Sequence, residues 1–142
     1  MPESSRAPEH LFVAALILDG SDRLLLLQRS RSARFAPGKW GLPGGHLGAG
    51  EDPEAGMHRE LDEELGPDLR LDLDLKARLG PLPTEGLARP GGIHLFRYRC
   101  RGGFPKLNGE HTRWEWVSRE AYPSYPVMVG VDADLAYLGV WK

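Results

Sequence analysis

Cysteine is almost missing from this chain of 142 residues: Cys100 stands alone. No disulfide can close within the sequence, and a thiol lying in an apolar, alternating segment reads as structural rather than catalytic. Long hydrophobic runs are absent as well. The apolar stretch from Leu11 to Leu18 is far shorter than a bilayer span, and the polar stretch Met1 to Glu9 has no signal-peptide pattern. A cytoplasmic protein is the expectation. Charge of one sign is also scarce, since the formal net charge is −2. Nothing global draws the chain to nucleic acid polymers or to a membrane surface, so any affinity for phosphate has to be local. There is no internal repeat and no low-complexity tract.

What is present is ordinary in amount and unusual in arrangement. Hydrophobic residues make up 41% and charged residues 27% of the chain, which fits one globular domain. We expect a loose tail over residues 1–9 and a single domain over residues 10–142. Two apolar runs, Leu11 to Leu18 and Arg23 to Gln28, flank Asp19-Gly20-Ser21-Asp22 and read as a hairpin of strands buried on both faces. Trp40-Gly41-Leu42 allows only a brief strand. Leu69 to Leu75 alternates with period two, the pattern of a surface strand with one buried face. Pro81, Pro83, Pro90 and Gly91-Gly92 bracket a connection, Ile93 to Cys100 reads as a strand, and Arg101-Gly102-Gly103 as a turn. Arg113 to Val117 is expected to be another strand, and Val131 to Leu138 a terminal helix.

The chemistry concentrates between Gly44 and Gly66. Asp52 is a good helix N-cap, Pro53 suits the first turn, and Gly66-Pro67 ends the run, which predicts a helix from Pro53 to Leu65. At about 100° per residue, Glu60, Glu63 and Glu64 share one side of it. Like charges at these spacings disfavour an isolated helix, whereas a hard divalent cation takes oxygen ligands of this kind. Just upstream, Arg29, Arg31, Arg34 and Lys39 form a basic segment without an acid. Phe35 and Trp40 beside it could stack on a base, and Trp40 could equally fill the core. His46 and His58 suit a structural role better than a hard-metal site.

Gly45, Glu51 and the run Arg59-Glu60-Leu61-Asp62-Glu63-Glu64-Leu65-Gly66, at these spacings, resemble the signature of the Nudix hydrolases. Two positions depart from it: Pro67 fills an apolar slot, and Gly48 stands where many members carry glutamate. The resemblance implies an α/β/α sandwich with a mixed sheet. It implies Mg²⁺, or alternatively Mn²⁺, held by Glu63, Glu64, Glu60 and the Gly44 carbonyl, with Glu60 either a ligand or the base that orients water. Arg59 would hold a glutamate in place. Gly44, Gly45, Gly48 and Gly50 would adopt positive φ or approach a phosphate closely, and Arg29, Arg34, Phe35, Lys39, Trp40 and Gly45 would line the substrate.

The expected reaction is hydrolysis of a phosphoanhydride in a nucleoside triphosphate or a related diphosphate derivative, releasing a nucleoside monophosphate. The alternatives are an ADP-ribose or nucleotide-sugar pyrophosphatase, and a non-catalytic nucleotide sensor of the same fold. The partner is a small nucleotide, and the chain is a monomer or homodimer. A carboxylate outside the helix is expected to complete the site. Strand alternation favours Glu115, with Glu110 in the Asn108-Gly109-Glu110 loop as the alternative.

Overall fold

The computed structural model describes residues 10–82 and 91–141. The tail assigned to residues 1–9, and Pro83 and Pro90 of the connection, lie outside the described residues. Seven strands are present among those described: β1 (His10–Leu18), β2 (Leu24–Arg29), β3 (Trp40–Gly41), β4 (Gly44–His46), β5 (Arg70–Leu82), β6 (Gly91–Gly102) and β7 (His111–Val117). Helix α1 (Pro53–Leu65) follows β4 and helix α2 (Val131–Tyr137) ends the chain.

The sheet runs β3-β2-β1-β6-β5, with β4 also paired to β1 and β7 to β2. β1 and β6 are parallel and the other pairings antiparallel, so the sheet is mixed. Period-two alternation explains why β1 and β2 are continuously apolar. Val13, Ala15, Ile17, Leu25 and Leu27 pack toward α1 with Met57, Leu61 and Leu65. Ala14, Leu16, Leu18, Leu24 and Leu26 pack on the other face with Val131 and Leu135 of α2 and with Leu138 just after it. The central side chains of these strands meet a core on each side in turn, which makes the α/β/α sandwich.

Helix α1 has the expected bounds. The Asp52 side chain accepts from the Ala55 N–H at 3.0 Å, Pro53 occupies the first turn, and Gly66 closes the helix at φ 77°.

Three expectations need correction. The leucines of β5 do not share a face, because a register shift between Leu73 and Leu75 interrupts the ladder to β6. Leu73 lies opposite Tyr98 on the α1 side, Leu75 lies opposite Arg97 on the α2 side, and both are exposed. Gly91 and Gly92 belong to β6 rather than to the connection, and β6 continues through Arg101 and Gly102, leaving Gly103 at φ 91° to make the turn. Of the four loop glycines, Gly50 alone takes positive φ. Gly44 and Gly45 are needed for space: a β-carbon on Gly44 would collide with the Val13 carbonyl oxygen, and one on Gly45 with the carboxylate of Glu60.

Candidate active site

The carboxylates of α1 differ in setting although they share a side. Glu64 is buried, and its Oε1 accepts from the Gly44 N–H at 3.0 Å. The Glu60 side chain is 12% exposed and that of Glu63 is 53% exposed. Strand β4 thus lies against the helix edge, with Gly45 directly at Glu60. Burial pushes the Glu64 carboxyl up to about 9, against the opposing pull of the Gly44 N–H; the hydrogen bond and charge of Glu60, and the charge of Glu110, push the same way as burial.

Arg59 organises the mouth of this pair. Its Nε and Nη2 donate to the two carboxylate oxygens of Glu51 at 2.9 and 3.0 Å, and its Nη1 donates to Glu60 at 2.9 Å. Nη2 also donates to the His46 carbonyl at 3.2 Å, and Glu63 stands 3.5 Å from Nη1. This uses the planar fork of arginine fully. The Glu51 carboxyl falls to about 2, first because of Arg59 and then because the Gly48 N–H donates to it at 2.8 Å. The expected clasp of Arg59 on a glutamate is therefore double. Glu51 was visible only as a matching position; its eight-residue separation from Arg59 hides the contact, because the chain turns at Gly50 before entering the helix.

Of the two acids expected outside the helix, Glu115 lies on β7 and Glu110 just before it. Glu115 lies opposite Leu26 in the β2–β7 ladder, whereas Trp114 and Trp116 lie opposite Leu27 and Leu25 and pack into the α1-side core. Glu115 therefore faces the α2 side, away from Glu60 and Glu64, and pairs loosely with Arg113 at 3.6 Å. Glu110 sits in a strap running from β6 to β7. The Lys106 N–H donates to the Leu65 carbonyl at 2.7 Å, at the end of α1, and the Ser30 N–H donates to the Glu110 carbonyl at 3.0 Å. The charge of Glu110 is the smallest of the influences that raise the proton affinity of Glu64.

In the basic segment, Arg34, Phe35 and Lys39 are exposed, with Phe35 at 68%. Arg29 is half-buried and braces the loop, its Nε donating to the Phe35 carbonyl at 2.7 Å. Of the two readings of Trp40, the core one describes its position: the ring is 5% exposed, meets Tyr125 edge-on at 5.1 Å and lies under the Arg113 guanidinium. His46 packs on Phe12 with ring centres 4.6 Å apart. His58 lines a crevice of about 150 Å³ with Asp62 and Tyr98 on the flank of α1 away from the carboxylates. Cys100 is half-buried beside the α1-side core.

The donor set suits a hard divalent ion. Glu60 and Glu64 are two carboxylates at one buried edge, with neither thiolate nor imidazole among them. Among the described residues no three His, Cys, Asp or Glu side chains are gathered closely enough to cage an ion alone.

Residues 8–135 match the model of the NUDIX domain, and the chain belongs to the Nudix family as a pyrophosphohydrolase. It is 37% identical over 110 residues to a protein of Mycobacterium tuberculosis provisionally named 8-oxo-dGTP diphosphatase 2, covering 76% of this chain and 72% of that one. It is 31% identical over 117 residues to a MutT-like protein of Streptomyces ambofaciens, covering 82% and 69%. The crystal structure of the MutT protein from Methanosarcina mazei Go1 superposes with a TM-score of 0.68 at 25% identity, over 95% of each chain. No helix among the described residues is long and apolar enough to cross a membrane.

Proposed function

We propose that this protein is a cytoplasmic, Mg²⁺-dependent hydrolase of nucleoside triphosphates that releases a nucleoside monophosphate and pyrophosphate. The observation that carries this reading is the pair of half-buried Glu60 and buried Glu64, held by Arg59 and the Gly44 N–H. Glu60, Glu63, Glu64 and the Gly44 carbonyl would hold the ion. The bound ion supplies Lewis acidity toward a phosphoryl oxygen and lowers the proton affinity of a bound water. The chain's own part is to hold those acids in one geometry, exclude water around Glu64, and set Glu110 beside them to orient or accept a proton from water.

Arg34 and Lys39, exposed on the segment before the site, meet the additional charge of a triphosphate, and Phe35 offers a free aromatic face to the base. Gly45, without a side chain, leaves room for the Glu60 carboxylate against β4. Preference for triphosphates also accords with the two relatives, one a MutT-like protein and the other bearing the name of an 8-oxo-dGTP hydrolase.

Product analysis across dGTP, 8-oxo-dGTP, the other nucleoside triphosphates, ADP-ribose and nucleotide sugars, with Mg²⁺, tests it. Nucleoside monophosphate and pyrophosphate from a triphosphate are expected at the highest kcat/KM. Faster cleavage of ADP-ribose replaces this reading with the diphosphate-conjugate one.

A further inference from the structure

The crevice of about 150 Å³ on the flank of α1 takes no part in the proposed reaction. Leu61 and Leu65 of the helix and Leu69 and Leu71 at the start of β5 form its walls, with the exposed carboxylate of Asp62 at its rim. A space of this size admits one benzene-sized ring. Exposed apolar side chains border it. Leu73, 37% exposed, lies opposite Tyr98, which lines the crevice. Phe104, 74% exposed, stands near the end formed by Leu65, Gly66 and Leu69, where the strap from β6 to β7 passes. There Gly103 backs onto the Asp68 carbonyl, the Lys106 N–H donates to the Leu65 carbonyl at 2.7 Å, and the Lys106 side chain starts over Gly66. With Leu107 packed into the α1-side core, these contacts fix the strap beside the crevice and leave the Phe104 ring in solvent.

We propose that this flank is the interface of a homodimer, in which a two-fold axis puts Phe104 of each chain into the crevice of the other and sets Lys106 against Asp62 across the contact. A ring and a space that fits it lie side by side on one surface. That is what an isologous contact requires, because an axis passing between them fills both crevices at once and makes every contact twice. The charges are complementary in the same sense: Lys106 flanks the ring, Asp62 flanks the crevice, and among the described residues neither forms an ion pair. An aromatic anchor in an apolar pocket with a polar rim is also the arrangement that concentrates binding energy at interfaces. The carboxylates of the active site lie on the other side of α1, so the dimer leaves them open, and the proposal does not depend on the substrate.

Sedimentation equilibrium of the full chain tests it over about 10–500 μM, the range in which a small interface associates. The mass is expected to rise from the 15.8 kDa of one chain toward twice that value. Phe104→Ser should weaken association at least about tenfold. Asp62→Lys and Lys106→Asp each set like charges against one another at both copies of the contact, and each variant alone should remain a monomer. Mixed in equal amounts, the two should associate again, because each chain then supplies the charge that the other needs at both places. A pairing of Asp62 with Lys106 inside one chain gives no such recovery. All three positions are exposed, so the variants should keep the fold, which thermal melts check. A wild-type chain that stays monomeric throughout, a dimer indifferent to Phe104→Ser, or charge variants that do not associate on mixing overturns the proposal.

Discussion

Gly45 lies so close to Glu60 that a β-carbon there would stand 2.7 Å from Oε1 and 2.8 Å from Oε2. The neighbouring Gly44 is equally confined, but by the backbone of Val13 and Ala14. The two glycines should therefore fail differently. Gly45→Ala pushes the flexible end of a side chain, so the fold survives and the acid moves: we expect kcat to drop at least about tenfold, since misplaced catalytic groups are costly, with Tm nearly unchanged. Gly44→Ala strains the pairing of β4 with β1 by about 1–3 kcal/mol, and Tm should fall by several degrees. Thermal melts and kinetics of both variants check the contrast, and equal effects on Tm would refute it.

The contrast between neighbouring glycines also marks what could be read from the chain. The ends of α1 were legible because Asp52, Pro53 and Gly66 act within one turn of themselves. The two-sided burial of β1 and β2 followed from their lack of polar positions. Alternation correctly put Glu115 opposite Trp114 and Trp116, but which side carried α1 depended on long-range packing, and the tryptophans turned out to be on that side. The shift at Asp74 is set by the partners on β6, and the place of Glu110 by contacts from Ser30 and Leu65. No local pattern carries either.

Arg59 is expected to resist conservative replacement. Its fork meets both oxygens of Glu51 and one of Glu60 at 2.9–3.0 Å, and a lysine ammonium cannot span the same set in one plane. Arg59→Lys should lower kcat about tenfold or more while Tm moves little, because the clasp is largely solvated and exposed pairs add little stability. Steady-state kinetics beside a thermal melt decide this. A variant with wild-type kcat would mean that charge near Glu60 is enough and that geometry is not.

Asp134 should make stability depend on pH far from the active site. Burial lifts its carboxyl from the ordinary 3.8 to about 7. The folded state binds this proton more tightly than the unfolded one. Its contribution is therefore full below about pH 4 and is lost as pH rises to about 7, after which the fold carries a buried charge. The loss is on the order of 2–4 kcal/mol at about 1.4 kcal/mol per unit. Asp134→Asn cannot ionise, so its stability relative to the wild type should improve between pH 4 and pH 8. Urea melts at the two pH values measure this, and a pH-independent difference would remove the assignment.

Substitution along α1 should rank the acids by burial rather than by sequence position. Glu64 is 3% exposed and tied to Gly44, whereas the Glu63 side chain is 53% exposed and only loosely met by Arg59 at 3.5 Å. Glu64→Gln keeps the shape and the contact to the Gly44 N–H through its amide oxygen, so the fold should stand. It removes the negative charge available to a cation in a place where water cannot substitute for it. Turnover should fall at least about 100-fold, corresponding to several kcal/mol of lost transition-state stabilisation. Glu63→Gln leaves an exposed position that water can refill, and its loss should be smaller by about tenfold or more. Mg²⁺ titrations of both variants separate weakened ion binding from slowed chemistry. If Glu63→Gln proves the more damaging at saturating Mg²⁺, the exposed acid is the essential ligand and the buried one serves the fold.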